Sequence, residues 1–232
     1  MNVNRDYYYS NSYKSLQRAG IQGWGNSLID RLIEGRVARF EGMKILELGA
    51  SSGEHLRFVS LEPRWDKYVG LDISPGISDP QLFESLIAKD SPKLPNITFT
   101  KSSAENIPFD DDSFDLVVST CLLAHVKDPE RVLSEARRVV KNSGQIVIGL
   151  PTDPGILNRC VKTLITYPKM RHLGIENPRL EYAREHINGV GNLLELIKFQ
   201  FSKDSLRFHY FPFFFRSWNF NLAVVVNCNV AK

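Results

Sequence analysis

The sequence predicts an α/β fold in which a doubly wound, mostly parallel seven-stranded sheet ends in a C-terminal antiparallel hairpin. Five short apolar runs alternate with potential helices between residues 43 and 150, as expected for parallel strands covered on both faces. Two further extended runs lie in the last thirty residues. A chain of 232 residues is long enough for one such domain and too short for two.

Four segments of this single domain follow in order. Residues 1–40 form a helical leader or lid, with apolar residues at helical spacing from Leu28 to Val37. Residues 41–150 form the ligand-binding core, and its predicted strands are MKILEL, YVGLDIS, NITFT, FDLVVS and QIVIGL. Residues 151–201 are a helical insertion without a strand-like run. Residues 202–232 are the closing hairpin, built from SLRFHYFPFFF and NLAVVVNCNVA.

The clearest helix signal begins at Asp128, which can cap the helix while Pro129 fits its first position. Its apolar stripe consists of Val132, Leu133, Ala136, Val139 and Val140. We expect Lys141, Asn142 and Gly144 to end it. A strand, helix, strand rhythm of this kind predicts helices on both faces of the sheet.

Charge and cysteine content exclude several classes. Lys and Arg total 29 against 26 Asp and Glu, and no long run of one sign occurs, which disfavours a nucleic-acid partner. Cys121, Cys160 and Cys228 lack the paired spacing of zinc or redox sites, so we predict no metal and a reduced, cytoplasmic setting. No secretory signal is visible, and no apolar run approaches the roughly 20 residues of a membrane span.

A nucleotide loop, ELGASSG, follows the first predicted strand. Gly49 allows a sharp turn, Gly53 lets the next helix start close to a ligand, and Ala50 and Ser51 keep the loop low. Asp72 follows Gly53 by nineteen positions, where a carboxylate can accept hydrogen bonds from ribose hydroxyls. These residues together predict a ribonucleoside site.

The loop lacks the signatures of phosphate-binding loops. A dinucleotide loop would read GxGxxG and a phosphate-cradling loop GxxxxGK followed by Ser or Thr, and neither occurs here. Glu47 instead places an acid before the glycines, which suits a ligand that is positively charged at that point. S-adenosylmethionine is such a ligand.

The motifs ELGASSG, YVGLDIS, SSAENIPFDDDSFDLVVS and LLAHVKDPERVLSEARRVVKNSGQIVIGLP resemble those of the class I, S-adenosylmethionine-dependent methyltransferases, specifically the small-molecule branch called methyltransferase type 11. The resemblance covers roughly residues 44–151. It implies that the first motif surrounds the methionine part of S-adenosylmethionine, that Asp72 holds the ribose, and that Ala104 and Glu105 lie beside the adenine. The cofactor-binding set is then Glu47, Gly49, Ala50, Ser51, Gly53, Asp72, Ile73, Ser103, Ala104, Glu105 and Ser119.

Two residues depart from the family's pattern. The family commonly has glycine at the place of Ser51, and an acid often stands where this chain has Ser103. The first change costs backbone freedom at the centre of the loop. The second removes a hydrogen-bond acceptor for the adenine amino group.

Two histidines are candidates for a general base. The resemblance places His125, after the fourth strand, near the methyl donor, and His186 lies in the inserted segment. Each also has an ordinary packing explanation. Because the sulfonium donor is already activated, the protein mainly supplies alignment, exclusion of water and, for a hydroxyl acceptor, a base.

The acceptor is predicted to be a small molecule, with O-methylation of a sugar or polysaccharide-related hydroxyl favoured over a lipid-linked or quinone-like compound. The leader and the insertion would close over it. The aromatic stretch from Phe208 to Phe215 is interpreted as a strand and a loop that line the acceptor pocket, with peripheral membrane contact as the alternative. An NAD-type oxidoreductase and a non-catalytic nucleoside-binding module also remain as alternatives, and the sequence leaves the oligomeric state open.

Overall fold

One mixed seven-stranded sheet organises the computed structural model, which describes residues 23–37, 42–51, 53–57, 65–73, 97–172 and 174–231. The strands are β1 (Met43–Leu48), β2 (Trp65–Asp72), β3 (Ile97–Lys101), β4 (Phe114–Thr120), β5 (Val140–Pro151), β6 (Ser205–Phe211) and β7 (Ala223–Asn229). Their order is β3-β2-β1-β4-β5-β7-β6. Strands β1 to β5 pair in parallel, whereas β7 is antiparallel to both β5 and β6. The predicted fold class is confirmed.

Helices precede, connect and follow the strands. The α-helices of the described residues are α1 (Gly23–Glu34), α2 (Pro129–Val139), α3 (Ile156–Val161), α4 (Tyr167–His172), α5 (Pro178–Glu185) and α6 (Val190–Gln200). A π-helical turn, Lys162–Thr166, joins α3 to α4. Short 3-10 turns lie at Glu54–Arg57, Leu122–Ala124 and Trp218–Phe220.

Helix α1 is the described part of the predicted leader, and it packs directly on the sheet. Ile29 and Ile33 are buried over Gly149 of β5. A Cβ atom at Gly149 would lie 2.4 Å from Cγ2 of Ile29 and 2.8 Å from Cδ1 of Ile33. The close approach of α1 to β5 therefore requires glycine at this position. The rest of the predicted leader, residues 1–22 and 38–40, lies outside the described residues.

Alternate residues of β4 divide between two hydrophobic cores. Val117 packs in the core that contains the buried faces of α2 and α6, whereas Leu116 and Val118 pack in the core that contains α1. Successive side chains of a strand point to opposite faces of a sheet. Helices therefore cover both faces, as the doubly wound prediction requires.

Helix α2 begins at the predicted position. Oδ1 of Asp128 accepts a hydrogen bond of 2.9 Å from a backbone N–H of the first turn, and Pro129 is the first helical residue. The expected end is wrong in detail, because Val140 is extended and pairs with Phe114 as the first residue of β5. Residues 141–144, expected to end the helix, belong to β5 instead.

The predicted C-terminal antiparallel hairpin is also confirmed. Beyond Pro151 the elements up to Gln200 are helical, and the described residues of this insertion contain no strand. The hairpin is antiparallel, and β7 enters between β5 and β6 rather than adding at the edge. Within the described residues, no helix is both long and apolar enough to cross a membrane.

Candidate active site

The loop after β1 turns sharply at residues with positive φ. Gly49 and Gly53 both have φ of 77°, and Ser51 between them has φ of 44°. Glycine adopts this left-handed region without steric cost, whereas a residue with a Cβ pays about 1 kcal/mol. A Cβ atom at Gly49 would also lie 3.0 Å from Leu122. The glycines supply the turn that the sequence indicated, and Ser51 carries the strain.

Asp72 ends β2 beside this loop. Its Oδ2 accepts a hydrogen bond of 2.9 Å from the backbone N–H of Ser51. The backbone N–H groups of Gly49 and Ala50 donate to the carbonyl oxygen of Leu71 at 2.8 and 3.2 Å. The loop is thus fixed to the end of β2 through both backbone and side chain.

The segment after β3 reaches the same edge of the sheet. The backbone N–H of Ser102 donates to the carbonyl oxygen of Asp72 at 3.0 Å. Ala104 is buried in the core that contains α2. Oε1 of Glu105 accepts a hydrogen bond of 3.1 Å from the backbone N–H of Asp128, just before α2. Glu105 therefore links this segment to the start of α2.

Ser103 and Ile73 lie on this edge as well. Oγ of Ser103 accepts a hydrogen bond of 3.1 Å from the backbone N–H of Glu105, so the serine is used within its own turn. Ile73 follows the last residue of β2, and its side chain is 64% exposed. An exposed apolar side chain at this place can contact a bound ring.

Glu47 has a different environment from the one expected. Its Oε2 accepts a hydrogen bond of 2.5 Å from the hydroxyl of Tyr68, and Oε1 lies 3.5 Å from Nδ1 of His55. Nε2 of His55 lies 3.2 Å from Oε1 of Glu34. Burial opposes charging of His55, but Glu47, Glu34 and Asp30 outweigh it and raise the pKa of His55 to about 10. Glu47 therefore supports the loop from within the core, through a buried ion pair.

Ser119 lies at the carboxyl end of β4, opposite Leu48 of β1. The residue is 3% exposed, and its Oγ has no hydrogen-bond partner among the described residues. Oγ1 of the neighbouring Thr120 is also buried, and it too has no hydrogen-bond partner among the residues that the structure describes. A buried hydroxyl without a partner costs about 1–3 kcal/mol. Such groups mark a place where a ligand or a water molecule completes the hydrogen bonding.

The structure brings His125 and His186 together, with ring centroids 4.7 Å apart. Nδ1 of His125 lies 3.0 Å from the carbonyl oxygen of Glu185, so the neutral ring donates there. Burial, reinforced by His186, lowers the pKa of His125 to about 3. Burial also lowers the pKa of His186, although Asp153 opposes this effect. Both imidazoles are therefore neutral at pH 7.

Asn188 holds the insertion against the turn after β4. Its Nδ2 donates to the carbonyl oxygens of Leu123 and Val126 at 2.9 and 2.7 Å. The backbone N–H groups of Ile187 and Asn188 donate to the carbonyl oxygen of Ala124 at 2.9 and 3.2 Å. These four hydrogen bonds place the end of α5 beside the carboxyl end of β4.

Asp153 connects His186 to a buried lysine. Its Oδ1 pairs with Nζ of Lys162, and its Oδ2 lies 3.5 Å from Nδ1 of His186. The ring of Tyr182 lies against that of His186, with centroids 4.1 Å apart, and Nζ of Lys162 lies 4.0 Å from the centroid of Tyr182. Burial tends to raise the pKa of Asp153, but His186 and Lys162 bring it below its ordinary value. The cluster thus holds an ionised carboxylate beside a neutral imidazole.

Residues 46–148 match a protein-family model described as a methyltransferase domain. This part of the chain is a class I, S-adenosylmethionine-dependent methyltransferase domain. The matched range runs from β1 into β5 and contains every predicted cofactor-binding residue. His186 lies beyond it, in the insertion.

Two curated methyltransferases are similar to the chain. A ubiquinone/menaquinone biosynthesis C-methyltransferase of Citrifermentans bemidjiense is 33% identical over 141 residues, which cover 56% of this chain and 59% of that protein. The match therefore spans less than two thirds of the relative's length. A phosphatidylethanolamine N-methyltransferase of Cereibacter sphaeroides is 27% identical over 68% of this chain and 80% of that protein.

Solved structures show the same fold. An S-adenosylmethionine-dependent methyltransferase of Thermotoga maritima superimposes with a TM-score of 0.60 at 14% identity, and the alignment covers 96% of each chain. At this identity the likeness concerns the fold alone.

The methyltransferase domain has groups that fit S-adenosylmethionine, the methyl donor of this family. Asp72, beside the loop, offers carboxylate oxygens at the place where ribose hydroxyls are expected. Ser119 offers a buried Oγ that lacks a hydrogen bond within the described residues. The groups that fit the methyl donor thus lie at the carboxyl edge of the sheet.

The histidine cluster could also hold a metal ion. Ligand atoms of His125, Glu185 and His186 all lie within 4.8 Å of one another. Two imidazoles and a carboxylate are a donor set that catalytic zinc sites use. The sequence predicted no metal because cysteine spacing was the signal considered, whereas these ligands come from two elements that are distant in sequence.

Sequence analysis missed Asp153, Lys162, Tyr182 and Asn188. Asp153 had a signal, since it follows β5, and ligands of open α/β sheets gather beyond the carboxyl ends of strands. The other three lie in the insertion, where the sequence shows no motif.

The aromatic loop differs from its interpretation as a pocket lining. The strand part is confirmed, since β6 extends to Phe211. Beyond it, the side chains of Phe213, Phe214 and Phe215 are all exposed. They face solvent because Pro212 ends the strand and the chain turns outward before it re-enters the sheet as β7.

Proposed function

We propose that this chain transfers the methyl group of S-adenosylmethionine to a hydroxyl group of a lipid-carried acceptor, with His186 as the general base. The observation that carries the proposal is the largely buried pair of Asp153 and His186, whose Oδ2 and Nδ1 lie 3.5 Å apart beside His125 at the carboxyl end of β4. A hydroxyl must lose its proton as the new bond to carbon forms, and an imidazole oriented by a carboxylate is suited to take it.

The donor would lie along the carboxyl ends of β1, β2 and β4. When bound, S-adenosylmethionine would supply a methyl group on a positively charged sulfur. The acceptor oxygen would bond to the methyl carbon, in line with the carbon–sulfur bond that breaks, and S-adenosylhomocysteine would leave. Asp72 would accept hydrogen bonds from its ribose, and Ala104 would pack beside its adenine. Ser119 would form with it the hydrogen bond that its buried Oγ lacks among the described residues. Glu47 would act on the donor only indirectly, by holding the loop.

His186 is a better base than His125 for two reasons. The pKa of His125 falls to about 3, so its ring binds a proton too weakly to accept one from a hydroxyl near neutral pH. Nδ1 of His125 donates to a neutral backbone carbonyl, whereas the Asp153 carboxylate lies 3.5 Å from Nδ1 of His186. That carboxylate favours the tautomer with a proton on Nδ1, which leaves the lone pair of Nε2 for the acceptor, and it stabilises the cation that forms.

A lipid-carried acceptor is favoured over a free sugar. Names of the two relatives refer to quinones and to phosphatidylethanolamine, which are lipids or lipid-soluble compounds. The exposed phenylalanines after β6 give the chain an apolar surface near the end of β5, where the insertion begins. A sugar hydroxyl, the acceptor that the sequence favoured, remains within the proposal when the sugar is attached to a lipid.

The test is transfer of labelled methyl from S-adenosylmethionine by the purified full chain. The acceptors are a demethylated quinol, a lipid-linked saccharide and a nucleotide sugar. We expect an O-methyl ether on one of the two lipid-carried acceptors. Product on the nucleotide sugar alone would contradict the lipid assignment, and a new methyl on nitrogen or carbon would contradict the hydroxyl assignment.

Treatment with a metal chelator distinguishes a base role of His186 from catalysis by a metal ion bound to the same histidines. If His186 acts as a base, EDTA leaves turnover unchanged. Loss of turnover with EDTA and its recovery with zinc would assign His125, Glu185 and His186 to a metal site instead.

A further inference from the structure

An exposed aromatic patch lies between β6 and β7 and at the start of α3. We define it as Ile156, Phe213, Phe214, Phe215 and Phe220, all of which are exposed, Phe214 to 96%. The rings of Phe213 and Phe215 stack with centroids 5.3 Å apart, and those of Phe215 and Phe220 lie 6.4 Å apart. Isolated exposed apolar residues are ordinary in soluble proteins, but a contiguous group of them marks an interaction surface.

Helix α3 adjoins the aromatic loop. A Cβ atom at Gly155 would lie 2.6 Å from the carbonyl oxygen of Trp218, so the start of α3 packs directly on the 3-10 turn that carries Phe220. Ile156 therefore belongs to the same surface as the phenylalanines. Asp153, the partner of His186, lies only three residues before Ile156.

The loop that carries the phenylalanines is held by a buried asparagine. Asn221 is fully buried, and its Oδ1 accepts a hydrogen bond of 2.8 Å from the backbone N–H of Phe213. Its Nδ2 donates to the carbonyl oxygens of Phe215 and Ser217 at 3.2 and 2.7 Å. The exposed rings are thus presented by an ordered turn, in which the buried polar group is fully used on the backbone.

The patch is flanked by cations without acids. Residues 154–175 contain four Lys or Arg and no Asp or Glu, although Lys162 among them is buried and pairs with Asp153. Residues 205–232 contain three Lys or Arg and no Asp or Glu. Arg159 of α3 and Arg216 of the loop are both exposed. Because the whole chain carries only +3, the remainder of the chain is net negative and the positive charge is concentrated in these two segments.

We propose that the aromatic patch docks the protein on the surface of an anionic phospholipid bilayer. Aromatic rings favour the membrane interface, where apolar and polar surroundings meet. Arg159 and Arg216 would pair with lipid phosphates, because cations near an anionic membrane surface are attracted to it. This docking goes beyond the proposed methyl transfer and does not depend on it, although it would bring a lipid-carried acceptor close to Asp153 and His186.

The test is co-sedimentation of the full chain with vesicles of phosphatidylcholine alone or mixed with phosphatidylglycerol. We expect binding to the mixed vesicles that weakens with salt. Phe214→Ser should lower the partition coefficient about tenfold, because a ring that enters the interface is lost. Phe199→Ser is the matched control, since Phe199 is an exposed phenylalanine of α6 outside the patch. Arg216→Gln should weaken binding more than Lys203→Gln.

The full chain is used, so failure to bind is decisive. Absence of binding to the mixed vesicles, or equal binding by Phe214→Ser and Phe199→Ser, would overturn the proposal. A wild-type dimer that dissociates in Phe214→Ser and ignores vesicles would assign the patch to a second copy of the chain. Because sedimentation requires no turnover, its outcome is independent of whether methyl transfer is found.

Discussion

At the residue scale, Ser51 shows how a departure from a family pattern is accommodated. Its φ of 44° lies in the region that glycine prefers, and its backbone N–H is held by Asp72. The hydrogen bond offsets part of the conformational cost. The loop thus accommodates a serine where the family commonly has glycine.

Substitutions at Ser51 should report this strain. Ser51→Val should destabilise the fold by about 1–2 kcal/mol, because a β-branched residue adopts positive φ poorly. Ser51→Gly should remain within about 0.5 kcal/mol of wild type, since relief of strain is offset by the greater freedom of glycine in the unfolded chain. Urea unfolding measures both, and equal stability of the two variants would show that the loop is not strained.

His55 makes stability depend on pH. Its folded pKa, about 10, is raised from 6.5 by Glu47, Glu34 and Asp30 despite its burial. The stabilisation is therefore complete below pH 6.5 and is lost as pH rises toward 10. Between pH 7 and 9.5 the free energy of unfolding should fall by about 1.4 kcal/mol per pH unit.

Urea unfolding of wild type and His55→Gln over this pH range checks the His55 prediction. The variant is less stable at pH 7, and its stability should be almost independent of pH up to 9.5. Tyr68 titrates higher still, because burial and Glu47 raise its pKa well above 10, so it does not interfere. An equal pH slope in the two proteins would assign the dependence to other groups.

Residue positions were predictable from sequence where spacing alone defines them. The turn at Gly49 and the place of Asp72 beside it were predictable because a turn after a strand and an acid at the next strand end are local features. The surroundings of Glu47 were not, because they depend on Tyr68 and His55, which reach the same face of the sheet only after folding. An acid at a strand end gives the same sequence pattern whether its side chain points to a ligand or to the core.

At the scale of elements, the strands and α2 followed from the sequence because hydrophobic period and capping are local signals. The position of the insertion did not. Its placement depends on hydrogen bonds from Asn188 to the turn after β4, and no motif around Asn188 predicts that contact. The contact between His125 and His186 could not be predicted for the same reason, because it also depends on where the insertion packs.

The packing of α1 on β5 gives a prediction at this scale. Gly149→Ala should cost about 1–3 kcal/mol, because the new methyl group would overlap Ile29 and Ile33. Gly191→Ala in α6 is the control, since the nearest atom to its Cβ is 3.8 Å away and alanine favours a helix. Thermal unfolding compares them, and a Gly149→Ala variant as stable as Gly191→Ala would contradict the close packing.

At the scale of the whole molecule, three surfaces meet around the carboxyl ends of the strands. The proposed donor site lies at the ends of β1, β2 and β4, the cluster of Asp153 and His186 lies in the insertion, and the aromatic patch includes Ile156, three residues after Asp153. The family's motifs cover only the first of these. The proposed acceptor chemistry therefore depends on the insertion, the segment in which the sequence offered least guidance.

The central claim is that His186 acts as the base in methyl transfer. The single-turnover rate of methyl transfer, measured against pH at saturating S-adenosylmethionine, tests it most directly because the reaction requires the donor site, the acceptor site and this base. The wild-type rate should be level above pH 6.5 and fall below it, since burial lowers the pKa of His186 from that value. His186→Gln should reduce the rate about 10²–10³-fold with unchanged affinity for S-adenosylhomocysteine, and His125→Gln should reduce it less than about tenfold. A His186→Gln enzyme with the wild-type rate and pH profile would contradict the account.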